Sequence, residues 1–184
     1  IYICANDSAI GDDIQNANNY TTKQVVYFKV ADGNSERTSL EIEDAESLAS
    51  INNNKESLSK FYLITKDINL STYANWTPIG YIDGEVVEFT GTLNGLQVVN
   101  GDYTLSVITG LRFNEENDNI SNYKGIFAKI GKGATIKNIN LTVQDTNLTF
   151  NANSTDAETY FGALAGTNNG DIKNVSVTYL HYQS

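Results

Sequence analysis

The chain has 184 residues, 22 acidic against 12 basic, for a formal net charge of −10 and a pI near 4.4. That surplus repels phosphate backbones and anionic headgroups, so nucleic-acid binding is not expected, and no apolar run approaches the ~20 residues that a membrane-spanning helix needs. A lone cysteine, Cys4, rules out an internal disulfide and reads as a small incidental side chain.

Hydrophobic content of 40% with one proline indicates a globular chain long enough to bury a sizeable core. Roughly two dozen asparagines give it the bias usual in β-rich secreted proteins. Methionine is absent, which suggests a processed or excised chain.

Residues 1–38 read as an N-terminal cap or linker. Asn6 to Thr22 is polar and irregular, Gln24 to Val30 alternates as a strand does, and Ala31 to Asn34 is a turn. Glu43 to Asn53 is the one convincing helix, with Ala45, Leu48, Ala49 and Ile51 on one face. Glu43, Asp44 and Glu46 favour the dipole at its start, and three asparagines end it. Its place before the first strands suits a cap.

Strand-like segments follow at Phe61 to Leu70, Trp76 to Gly80, Phe89 to Gly95 and Thr104 to Phe113. A stretch then occurs twice, from Gly125 to Val143 and from Gly162 to Tyr179, with Ile136 and Ile172 equivalent (172 − 136 = 36). A unit of that length, rich in glycine and asparagine, predicts a solenoid of stacked coils.

Within the first copy Ile139, Leu141 and Val143 alternate with polar residues, the pattern of a strand with one buried face. Ile136 is out of phase and points inward only if the backbone turns a corner beside Asn138. Ile172 stands the same way to Val175, Val177 and Tyr179, with the corner at Asn174. Ile108 against Leu111 and Phe113 puts a corner at Gly110, and Thr65 before Ile68 and Leu70 puts one at Asp67. Gly, Asn and Asp tolerate a left-handed backbone. The four corners Asp67, Gly110, Asn138 and Asn174 are predicted to form one column about 4.8 Å apart, with an amide ladder between Asn138 and Asn174.

Three polar insertions, Tyr81 to Glu88, Asn114 to Tyr123 and Gln144 to Thr159, read as flanking loops, where binding usually resides.

Taken in order, the runs Glu43-Asp-Ala-Glu-Ser-Leu-Ala49, Tyr62-Leu-Ile-Thr-Lys-Asp-Ile-Asn-Leu70, Trp76-Thr-Pro-Ile-Gly80, Phe89-Thr-Gly-Thr-Leu-Asn-Gly95 and Gly162-Ala-Leu-Ala-Gly-Thr-Asn-Asn-Gly-Asp-Ile172 resemble the GLUG-motif repeats of bacterial surface proteins. They are similar to the non-catalytic β-helical region ahead of the protease domain in IgA-specific metallopeptidases. The resemblance covers about Ser39 to Tyr179. It implies an all-β, right-handed parallel β-helix over residues 39–184, export to the bacterial cell surface, and a spacer, adhesion or presenting role. Leu96 to Tyr103 is longer than the family's glycine-rich link, residues 1–38 match nothing in it, and the family's zinc-binding His-Glu-x-x-His motif is absent.

No residue pattern points to a reaction centre, so no catalytic, cofactor-binding or metal-binding residue is expected. His181 is the only histidine, and Gly125 to Gly133 lacks the Lys-Ser/Thr ending of a phosphate loop. A polysaccharide-cleaving enzyme would need converging carboxylates with a base such as Arg37 or Arg112. The acidic pairs Asp12-Asp13, Asp83/Glu85 and Glu115-Glu116/Asp118 lack the spacing of a calcium loop. The Asn-x-Ser/Thr triplets at Asn69, Asn75, Asn140, Asn147 and Asn174 are what chance produces in so asparagine-rich a chain. The resulting expectation is an extracellular adhesin stalk or recognition module whose partner is a host or neighbouring-cell protein or glycan. A polysaccharide-degrading enzyme is one alternative. Another is a surface fibre subunit that self-associates through a solenoid end or the N-terminal strand.

Overall fold

The computed structural model describes Tyr2–Ile3, Val25–Val26 and residues 31–113, 122–144 and 159–181. Two compact units divide the chain between residues 31 and 32. In the smaller, β1 (Tyr2–Ile3) pairs in parallel with β2 (Val25–Val26), the described part of the strand expected from Gln24.

The larger unit is mostly β. After a 3₁₀ turn at Glu36–Thr38 comes β3 (Leu40–Ile42), then α1 (Ala45–Ala49). Asp44 caps α1: its Oδ1 accepts from the Ser47 amide at 2.8 Å, and Ser47 Oγ accepts from the Asp44 amide. The expected helix over 43–53 is thus shorter as an α-helix, and Ser50–Asn53 continues as 3₁₀. Asn52 is committed elsewhere. Its Oδ1 takes the Gly80 amide at 2.7 Å and its Nδ2 donates to the Pro78 carbonyl. Ala45, Leu48 and Ile51 nevertheless reach the core as the spacing predicts.

Next come β4 (Phe61–Ile64), β5 (Ile68–Asn69), a short antiparallel hairpin of β6 (Tyr81–Ile82) and β7 (Glu85–Val86), β8 (Thr92–Asn94), and a second hairpin of β9 (Leu96–Val99) and β10 (Asp102–Thr109). Beyond them lie β11 (Tyr123–Lys124), β12 (Phe127–Ile130), β13 (Thr135–Gln144), β14 (Tyr160–Phe161), β15 (Ala165–Asn168) and β16 (Asp171–Leu180). The main sheet has eight strands ordered β3-β4-β8-β13-β10-β5, with β16 also on β13 and β9 also on β10. Two smaller parallel sheets, β11-β14 and β12-β15, join the two copies of the sequence repeat.

Side chains stack in rows across the parallel ladders. One row runs Leu40, Tyr62, Leu93, Ile136, Ile172, and a second runs Ile68, Ile108, Leu141, Val177. Trp76, Ile79, Phe89 and Phe127 fill the interior; Trp76 Nε1 donates to the Ile126 carbonyl at 3.1 Å, and the Phe89 and Phe127 rings lie 4.9 Å apart. The Trp-Thr-Pro-Ile-Gly and Phe-Thr-Gly-Thr-Leu-Asn-Gly runs are therefore core-forming segments.

The expected right-handed parallel β-helix over 39–184 does not hold. The larger unit is built on one mixed, partly parallel sheet that curls and stays open. Continuous winding needs every strand to leave in the same direction, whereas β9 runs antiparallel along β10 and β6 along β7. The reversal is encoded at Asn100 and Gly101, whose φ values of 53° and 92° suit the tight hairpin turn that matches strand twist.

Candidate functional site

Asn138 and Asn174 occupy bends with φ of 61° and 52° inside the long strands β13 and β16. The bend lets Ile136 and Ile139 both point inward, and each is fully buried. Asn174 Nδ2 donates to Asn138 Oδ1 at 2.9 Å, and Asn138 Nδ2 donates to Asn94 Oδ1 at 2.8 Å. The ladder thus has three rungs, with Asn94 of β8 as the first.

The other two expected members lie elsewhere. Leu105 is level with Asn138, because Ser106 pairs with Ile139, so Gly110 stands five residues further along (110 − 105 = 5). Gly110 does bend the chain, with φ of 74°, but it packs against Asn69 and Ser71. Asp67 is level with Val107, and its Oδ1 accepts from the Val107 amide at 2.9 Å. It closes the ladder at the start of β5 without turning a left-handed corner. The single column of Asp67, Gly110, Asn138 and Asn174 is corrected to Asn94, Asn138 and Asn174. Asn94 was legible only through register, since it is level with Lys137 and reaches the neighbouring Asn138.

Asp67 belongs to a small polar network. Gln97 Nε2 donates to Asp67 Oδ1 at 3.2 Å and to Ser106 Oγ at 2.8 Å, and Ser106 Oγ donates to the Gly95 carbonyl at 2.7 Å. Ser106 is fully buried, in the row that Ile139 and Val175 continue. Gln97 Nε2 spends both of its hydrogens inside the network, and Ser106 Oγ both accepts and donates there, so the network specifies structure.

Of the acidic pairs, Asp83/Glu85 lies among the described residues, and both of its members are exposed. Glu85 is held by Lys55 at 2.7 Å, and that ion pair lowers the carboxyl pKa and raises the lysine's. Asp83 sits at the β6-β7 turn with φ of 52°. Asp12-Asp13, Glu115-Glu116, Asp118, Asn147 and Cys4 lie outside the described residues. Arg37 and Arg112 are both exposed. His181 follows β16 at an exposed position. Among the described residues no group of three His, Cys, Asp or Glu side chains could hold a metal ion, and no helix is long and apolar enough to cross a membrane.

Apolar surface is the more prominent feature. The β9-β10 hairpin presents Val98 and Tyr103 as directly opposite partners, 64% and 76% exposed, with Val99 beside them. Across β11 and β14 the Tyr123 and Tyr160 rings stack at 4.8 Å and 6°, with Lys129 Nζ 4.4 Å from the Tyr123 ring. Among the expected insertions, Tyr81 to Glu88 carries the β6-β7 hairpin, while residues 114–121 and 145–158 of the other two lie outside the described residues. Compared with models of protein families, with curated proteins and with solved structures, the chain matches none of them.

Proposed function

We propose that the chain is a non-catalytic module of the bacterial cell surface that recognises a protein or glycan on a host or neighbouring cell. The observation that carries this reading is the β9-β10 hairpin, whose paired Val98 and Tyr103 stand exposed on a rigid support. Aromatic and aliphatic side chains held on a pre-formed turn lose little entropy on binding. The base of the hairpin is fixed by the buried bonds among Gln97, Ser106 and Gly95. This hairpin is also the segment where the chain departs from the GLUG-like pattern, and that resemblance supports the extracellular setting.

The test is a screen of the full chain against glycan arrays and host surface proteins, run beside a polysaccharide-degradation assay. Binding that is lost in Tyr103→Ser and Val98→Ser, with the unfolding midpoint unchanged, is the expected result. Turnover of a polysaccharide, or binding indifferent to both substitutions, would overturn the reading.

A further inference from the structure

We infer that the outer edge of β16 is a docking site for one further parallel strand, an extended segment carrying the pattern aliphatic-x-Asn-aliphatic-x-aliphatic-x-aliphatic. This inference stands apart from the extracellular reading.

The core rows carry the argument. Tyr62, Leu93 and Ile136 are buried at 4%, 0% and 0%, and the next member of their row, Ile172, is 43% exposed. Ile68, Ile108 and Leu141 are each 1% exposed, and Val177 after them is 49% exposed. Val143 is fully buried while its neighbour Tyr179 is 54% exposed. From Tyr62 in the first row and Ile68 in the second, the rows stay dry up to β13 and open at β16. Among the described residues only β13 pairs with β16, over nine register pairs, so the opposite edge of this ten-residue strand has no strand partner among them. An edge of that length, with its apolar face exposed, is a template for strand addition.

The amide ladder gives the site its polarity and its chemistry. In both observed steps the Nδ2 of the later strand donates to the Oδ1 of the earlier one. Asn174 uses its Nδ2 on Asn138, and its Oδ1 is the terminal acceptor of the run. A parallel strand with asparagine at this level repeats the step and follows the bend. Without the bend it would leave the edge after Asn174.

A second copy paired antiparallel through β16 fits less well. Placing the two bends opposite each other sets inward Ile172 against Ser176, whose hydroxyl is engaged with Asn140 at 2.6 Å on the outer face. The phase break that lets both arms of β16 face the core is what spoils this self-pairing.

The probe is a labelled peptide with the sequence Thr135–Gln144, added to the full chain. Saturable binding is expected, with slowed amide exchange over Asp171–Leu180. Asn138→Val in the peptide should weaken it about fivefold or more, the worth of roughly one hydrogen bond, and a scrambled peptide should not bind. In the protein, Val177→Lys should abolish binding while keeping the parent's far-UV spectrum, and Asn174→Gly, which keeps the bend, should weaken it. Equal binding of the scrambled peptide, absence of protection at β16, or concentration-dependent dimerisation of the chain alone with β16 protected would each overturn the inference.

Discussion

Replacing Asn138 by valine tests the bend and the ladder together. A β-branched residue held at φ of 61° pays about 1–2 kcal/mol of backbone strain. The same change removes the bonds to Asn94 and Asn174, worth about 1 kcal/mol each or somewhat less for the exposed one. The expected loss for Asn138→Val is about 3 kcal/mol. Asn138→Gly relieves the strain but still loses both bonds, so it should cost about 2 kcal/mol. Lys137→Ala, next in sequence, removes a partly exposed ion pair with Glu36 and should cost less than about 1 kcal/mol. Urea unfolding followed by far-UV circular dichroism and by the fluorescence of buried Trp76 measures all three, provided the two probes coincide. If Asn138→Val were no worse than Lys137→Ala, or no worse than Asn138→Gly, the reasoning about the bend would be wrong.

Leu141→Ala should destabilise by about 2–5 kcal/mol through lost burial and a residual cavity, whereas Val177→Ala in the same row should cost under about 1 kcal/mol because it is half exposed; similar midpoints for the two variants would contradict the row argument. A Cβ at Gly95 would lie 2.3 Å from the Asn138 carbonyl oxygen, so Gly95→Ala should lower stability by about 1–3 kcal/mol, and a silent substitution would mean that β8 and β13 do not approach so closely. Burial pushes the Tyr62 phenol from 10.0 up to about 12, and its hydroxyl donates to the Ser57 carbonyl at 2.8 Å. The folded state thus holds the proton more tightly. The contribution is fully present below pH 10 and is lost as pH rises towards 12, so unfolding midpoints should fall across that window less steeply in Tyr62→Phe than in the parent. Equal slopes would remove the linkage.

Much of the local structure is legible in the residue pattern. The two-residue beat of Ile139, Leu141 and Val143, its break at Asn138, and the same break at Asn174 each follow from where apolar side chains must point. The 36-residue offset sets the β13-β16 register from Ile136 against Ile172 onward. The pattern also marks the acidic cap of α1, although the helix stops being α after Ala49 because Asn52 finds better partners in Pro78 and Gly80. For the candidate site, exposed Val98 and Tyr103 carried no advance signal beyond the unusual length of Leu96 to Tyr103.

What the sequence by itself determined is which faces are apolar and where the backbone must bend, because both depend on neighbours a few residues away. Only the tertiary structure decided which strand lies beside which. Parallel partners come from segments tens of residues apart, and nothing local distinguishes Asn94 from Asp67 as the companion of Asn138. The antiparallel return of β9 along β10 is a choice of the same kind: a two-residue turn reverses the chain, and one reversal suffices to leave an open, mixed sheet where a closed winding was expected.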